Sequence, residues 1–337
     1  MADLLIAPGD LANKADRQGM ISGWSFIQEI GRELQAKAIV TTIGNHDVLS
    51  RERTEDAFQL AKRLRPAFPS SDQRETDEFW ANGFYILNTG PVRVLVLNSA
   101  ASHTNETMAK RGRITNQQLE QIDTALGKGT SLFNIAVCHH HPILHEDIGL
   151  GTDDVMENGS LLTQLLSERA FDLIIHGHKH HPKLSRAPNG PRELPILAAG
   201  SLSAAMSRGL ASRTRHLFHL VSLTKDKEGE ISRGIIRSWQ FRHFKGWSPA
   251  TWSAAEFPGT AGFGCYESVS SLASQVRNAF KKLNLPIAEW SAVIAAVPAL
   301  KFVPPSSFEA IGTELQRDGY ILAPAPPDEP RFIGGPL

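Results

Sequence analysis

Three of the chain's 13 histidines stand together in Cys138-His139-His140-His141-Pro142, and four more in His176-Gly177-His178-Lys179-His180-His181-Pro182. Imidazole nitrogens gathered this closely, joined by carboxylate and amide oxygens, are donors for divalent cations. The oxygens are at hand in Pro8-Gly9-Asp10 and in Gly44-Asn45-His46-Asp47. Such a mixed set suits manganese, iron or zinc, and the only cysteines, Cys138 and Cys265, are too few for a clustered thiolate zinc site. His178 and His180 are two residues apart, so an extended loop would send them to opposite sides and let them serve two neighbouring ions. Gly177 lets the backbone turn tightly there, and Asp10, also preceded by a glycine, has two oxygens with which to bridge a pair of ions.

These segments need elements that bring them to one place. Each follows a short apolar run, so each is expected at the C-terminal end of a strand, the rim where open α/β sheets collect ligands. Strands are expected at 4–7, 38–43, 83–87, 92–98, 133–138, 173–176, 196–199, 216–223 and 231–239, and helices at 23–36, 55–64, 115–126 and 161–169. Thr115-Asn116-Gln117-Gln118 has the form of a capping box and marks a helix start. Buried strands alternating with amphipathic stretches give an α/β layered fold.

The Gly9-Asp10, Gly44-Asn45-His46-Asp47, His140-His141-Pro142 and Gly177-His178-Lys179-His180 segments, in this order and spacing, resemble four of the five motifs of the calcineurin-like metallophosphoesterase family, over about residues 3–240. The resemblance implies a layered α/β/β/α sandwich and hydrolysis of a phosphate ester by two-metal-activated water. It implies Asp10 as bridging carboxylate, Asn45, His140 and His178 as ligands of one metal, His180 as a ligand of the other, and His46 as the catalytic histidine near the substrate. His140 is chosen because the family's ligand stands two residues before the proline, which leaves His139 and His141 as neighbours. Asn13 falls where many members carry a second aspartate. The family's opening Asp-x-His pair does not stand upstream of Asp10, and Asp3 lies about 23 Å away along an extended strand. The expectation is a natural reading frame that begins upstream of Met1.

Asp47 after Asn45-His46 resembles the diesterase and nuclease branches, which points to a phosphodiester substrate; a catalytically impaired phosphoesterase-like binding or regulatory module is the alternative. Lysine plus arginine and aspartate plus glutamate are 35 each, so any contact with a polyanion must be local, and a small phosphoester is favoured over nucleic acid. With no apolar run long enough to span a bilayer, no basic leader after Met1 and two cysteines, a cytoplasmic protein without membrane contact is expected. His103, His145, His216, His219 and His243 are left outside the metal set, and Arg213 and Arg215 are read as solvated charge. The segments 103–113 and 147–157 are placed at the rim by position alone.

The catalytic domain is expected to end at 243. Beyond it, 244–337 forms a mainly helical or irregular appendage in which Val269, Leu272, Val276, Phe280 and Leu283 share one helical face as packing. Gly259 to Gly264 is read as a flexible linker, and Pro304-Pro305 and Pro324 to Pro330 as a surface-draped tail.

Overall fold

A computed structural model describes residues 2–49, 56–103, 110–127, 131–145, 154–226 and 232–336. The chain divides into two compact units, Met1–Gly200 and Ser201–Leu337. In the first, β1 (Leu4–Ala7) pairs in parallel with β2 (Ala38–Thr41). The strands β3 (Phe84–Thr89), β4 (Val92–Leu97), β5 (Phe133–Val137), β6 (Leu173–His176), β7 (Pro182–Arg186) and β8 (Pro195–Ala199) form a six-stranded sheet in the order β3-β4-β5-β6-β8-β7. Its centre, β4-β5-β6-β8, is parallel, and antiparallel β3 and β7 close its edges. The central strands carry near-continuous apolar runs because both faces are covered: Leu95, Ala136, Ile174 and Ile196 are fully buried, packed with Ile122, Leu162 and Leu166 from helices.

The expected strands recur within a few residues of their bounds. Thr115 caps the helix Asn116–Leu126 through the full capping box with Gln118. The first helix runs Arg17–Glu33, earlier than 23–36, because the Asp16 side chain accepts from Gly19 N and so starts it. A helix at Gln73–Asn82 was not expected; Asp72 caps it, and Gly83 ends it in the left-handed region.

In the second unit β9 (Leu217–Lys225) and β10 (Ser232–Arg242) form a hairpin, and β11 (Gly246–Pro249) and β12 (Thr260–Phe263) share the other edge of β10. This sheet runs through residue 243, whereas the expected division fell there; the strand partners of β10 lie on both sides of that position. The glycine-rich 259–264 stretch is β12 and not a linker. Gly262 is there for close packing, since a Cβ would come within 2.4 Å of Lys301 O.

The rest is helical with a small sheet. The helices Val269–Leu283, Trp290–Ala296 and Pro305–Arg317 pack with β13 (Ile287–Glu289), β14 (Ile321–Ala323) and β15 (Phe332–Gly334), ordered β13-β15-β14. Leu272, Val276 and Phe280 are buried along the expected stripe, with Val269 and Leu283 at its margins. The proline-rich segments are not a draped tail. Pro305 opens a helix, where its missing N–H costs nothing, and Pro327 and Pro330 are buried while Asp328 accepts from Trp252 N at 2.9 Å. Trp290 is 2% exposed and meets Phe308 at a ring separation of 5.9 Å. Trp290→Ala should therefore destabilise this unit by about 3–5 kcal/mol, read as a lower denaturant midpoint; an unchanged midpoint would contradict this core.

Candidate metal centre

All four chemistry-bearing segments leave the ends of β1, β2, β5 and β6 on one rim. Cross-links hold them there: His139 Nδ1 lies 2.8 Å from Pro8 O, Gly177 N donates to His139 O at 3.1 Å, and Thr42 Oγ1 donates to Leu97 O at 2.6 Å. Gly9 adopts φ +89, and a Cβ on it would meet Gly44 N at 2.7 Å and His139 Nδ1 at 2.8 Å. Gly44 is bare for the same reason, since a Cβ would lie 2.1 Å from Asp10 Oδ1. Two glycines thus let two loops and an imidazole approach more closely than side chains permit.

Asp10 sits at φ +57, a conformation that costs a non-glycine residue free energy and is held here by its contacts. Its Oδ1 accepts from His46 N at 2.9 Å, and its Oδ2 lies 3.3 Å from His139 Nε2. His139 Nε2 is also 3.0 Å from Asn45 Oδ1, which is 3.0 Å from His178 Nδ1. Ligand atoms of His139, His140 and His178 all lie within 4.8 Å of one another. Two donors about 2.1 Å from a shared ion at the tetrahedral angle are about 3.4 Å apart, so these separations fit a cation. The backing is also that of a metal site: His139 Nδ1 is occupied by Pro8 O, and His140 Nδ1 lies 2.9 Å from Ser99 Oγ. His178 Nε2 is buried without a hydrogen-bond partner, with the Asp154 carboxylate 4.0 Å away.

The electrostatics match. Burial would raise the Asp10 pKa, but the adjoining His139 and His46 outweigh it and hold the carboxyl well below its usual range. His139 is disfavoured as a cation by burial, yet Asp10 raises its pKa. Burial pushes His178 well below the ordinary imidazole value, so it is kept neutral, the form in which an imidazole can bind a cation. Asp47, wholly buried, is pushed up to about 7 by burial and by the Asp10 charge, against the N–H groups of Gly44 and Ala12 that it accepts.

The structure therefore brings together Asp10, Asn45, His140 and His178, and adds His139. His139, set aside on its distance from the proline, stands in this cluster beside His140: the chain bends at residues 139 and 140, and the His139 ring lies near both Asp10 and Asn45. The loop carrying His178 and His180 is not extended, since both residues have positive φ. His180 is close enough to affect the His178 charge but stands outside the close imidazole trio. His46 Nδ1 lies 3.2 Å from Asn13 Oδ1 at the exposed margin, as the position of Asn13 suggests.

His103, left out on sequence grounds, is 5% exposed and packs edge-on against His140 at 5.2 Å. Nothing in its own neighbourhood of sequence signals this; only the fold brings it to the site. His216 and His219 instead serve the second unit, at Ala204 O (2.8 Å) and Ser238 Oγ (2.7 Å). Much of the two expected rim segments, 104–109 and 147–153, lies outside the described residues. Arg213 is paired with Glu256 at 2.8 Å. Asp3 pairs with Lys37 at 2.7 Å, at the far end of β1 from Asp10.

The family model described as calcineurin-like phosphoesterase matches residues 1–182, and one described as wHTH-Calcineurin_assc matches residues 261–317. No curated protein matches the sequence. Among solved structures the chain is similar to purple acid phosphatase PPD1 from yellow lupin (Lupinus luteus) seeds, with 14% identity, TM-score 0.43, and coverage of 71% of this chain and 44% of that one. It is also similar to the Thermus thermophilus sulfate thiohydrolase SoxB (16% identity, TM-score 0.33, 66% and 36% covered). A third similarity is to PhoD (9%, TM-score 0.40, 78% and 63% covered). The chain thus spans less than half the length of the first two. No helix among the described residues is long and apolar enough to cross a membrane.

Proposed function

The chain belongs to the calcineurin-like phosphoesterase family, and from that premise we propose that it hydrolyses phosphodiesters at the rim where Asp10, Asn45, His139 and His178 meet. The convergence of a carboxylate, an amide and two imidazoles within 3.0–3.3 Å of their neighbours carries this reading. His140 and His180 complete the donor set, and manganese, iron or zinc fits its chemistry. When bound, divalent ions there would supply Lewis acidity that offsets phosphoryl charge and favours attack by water.

The protein's own groups do the rest. Asp10 stays ionised because His139 and His46 stand beside it. Pro8 O and Ser99 Oγ hold His139 and His140 by Nδ1 and so aim the opposite nitrogen of each ring. Asn13 holds His46 by Nδ1, leaving Nε2 to pass a proton to the departing oxygen. Cytoplasmic placement belongs to the same reading and is supported by a sequence with only two cysteines, too few for a disulfide framework.

The test is metal analysis of the purified protein together with turnover of bis-p-nitrophenyl phosphate and p-nitrophenyl phosphate. Bound manganese, iron or zinc with faster cleavage of the diester is expected. Preference for the monoester would refute diester specificity. One metal equivalent or none, without turnover, would instead mark the chain as a phosphate-binding module.

A further inference from the structure

The hairpin sheet of the second unit presents an aromatic, cationic face that the hydrolytic site does not use. Cross-strand register sets Phe218 opposite Trp239, Leu220 opposite Arg237, and Trp247 opposite Phe241, so these six side chains share one face. Phe218, Leu220, Phe241 and Trp247 are 37–45% exposed, far more than an unused sheet face needs to show. The rings form a continuous strip across three strands. Phe218 stacks on Trp239 at 5.0 Å with planes 9° apart, while Trp247 meets Phe218 at 4.9 Å and Phe241 at 5.5 Å.

Charge on this strip has one sign. Residues 232–255 contain no aspartate or glutamate, but they carry Arg233, Arg237, Arg242 and Lys245. Arg233 is engaged over the Phe302 ring at 5.6 Å. Arg237 shares the face of the strip and Lys245 lies in the turn between β10 and β11; both are exposed, and among the described residues neither has a carboxylate partner. In a chain with zero net charge this is a local concentration of cations.

We propose that this face binds single-stranded nucleic acid, with bases stacking on Phe218, Trp239 and Trp247 and phosphates meeting Arg237 and Lys245. Flat ring faces interleaved with cations are what an unpaired strand recognises, since every base offers a π-face and every linkage a negative charge. A bilayer fits less well: Phe244 in the turn between β10 and β11, 96% exposed, is a single apolar projection where stable anchoring takes more than one signal. The inference rests on this surface alone and stands whether or not the Asp10 rim hydrolyses a diester.

The full chain should be titrated into labelled oligo-dT and oligo-U of ~20 nucleotides, following fluorescence anisotropy and tryptophan quenching, with oligomer integrity checked on a gel. Two phosphate contacts predict a log–log salt slope of about −1.4. Trp247→Ala should weaken binding about tenfold. Arg237→Glu with Lys245→Glu, both at exposed sites and checked by circular dichroism, should weaken binding and flatten the remaining salt slope towards zero. Salt-insensitive or undetectable oligomer binding would overturn the proposal. So would equal affinity in all variants, or quenching by phosphatidylserine vesicles without any by the oligomers.

Discussion

His139→Ala is expected to strip the protein of its metal and reduce phosphodiester turnover to background. Its Nε2 stands 3.3 Å from Asp10 Oδ2 and 3.0 Å from Asn45 Oδ1, so removal opens the centre of the donor set. Loss of even an outer partner of a metal ligand typically weakens affinity about 10–100-fold, and loss of a donor itself should exceed about 100-fold. Removal also leaves the buried Asp10 carboxylate without the group that keeps it ionised, a change that costs about 3–5 kcal/mol when a buried pair is broken. Metal analysis after gel filtration and calorimetric titration with zinc read the effect directly. Full metal content in His139→Ala, with loss in His140→Ala, would show that distance from the proline, and not contact with Asp10, selects the ligand.

His46→Ala should separate binding from chemistry. The His46 side chain meets Asn13 at the exposed margin, and only its backbone N–H touches Asp10. That N–H survives the substitution, so metal content should match the parent. Loss of a positioned general acid typically costs about 10²–10⁴-fold in rate, and kcat for the diester should fall by that range. The loss should shrink for esters with good leaving groups, which need little help from a proton. Unchanged turnover removes His46 from the reaction, and a parallel loss of metal makes it a structural residue of the rim.

The two substitutions also mark how far sequence reasoning reached. His46 was singled out by the resemblance that its contiguous motif carries: Gly44-Asn45-His46-Asp47 forms one 3-10 turn after β2, whose local backbone fixes where each side chain goes. The choice within His139-His140-His141 was not local. It depends on the bend after β5 and on how near Pro8 and Gly44 come, and those distances belong to other strands. His103 is the same case in stronger form, since an isolated histidine has no pattern, and its place against His140 exists only once β4 and β5 are adjacent.

The second unit shows a related limit. The packing stripe from Val269 to Leu283 was plain, because a helix writes its buried face at a period near 3.6 residues. Three-residue strands such as β13, β14 and β15 are too short to carry a period, and glycine and proline in 259–264 and 324–330 looked like loop composition. They are instead residues chosen for close approach and for a fixed backbone angle.

Apolar runs and the motifs that end them are properties of neighbouring residues, so α/β character and the segments that carry candidate metal donors could be read directly from the chain. Which imidazole faces the carboxylate, and which rings and cations share the outer sheet face, depends on pairings between segments that can be 133 residues apart. Those pairings arise from packing and register, and they are settled only when the strands close on one another.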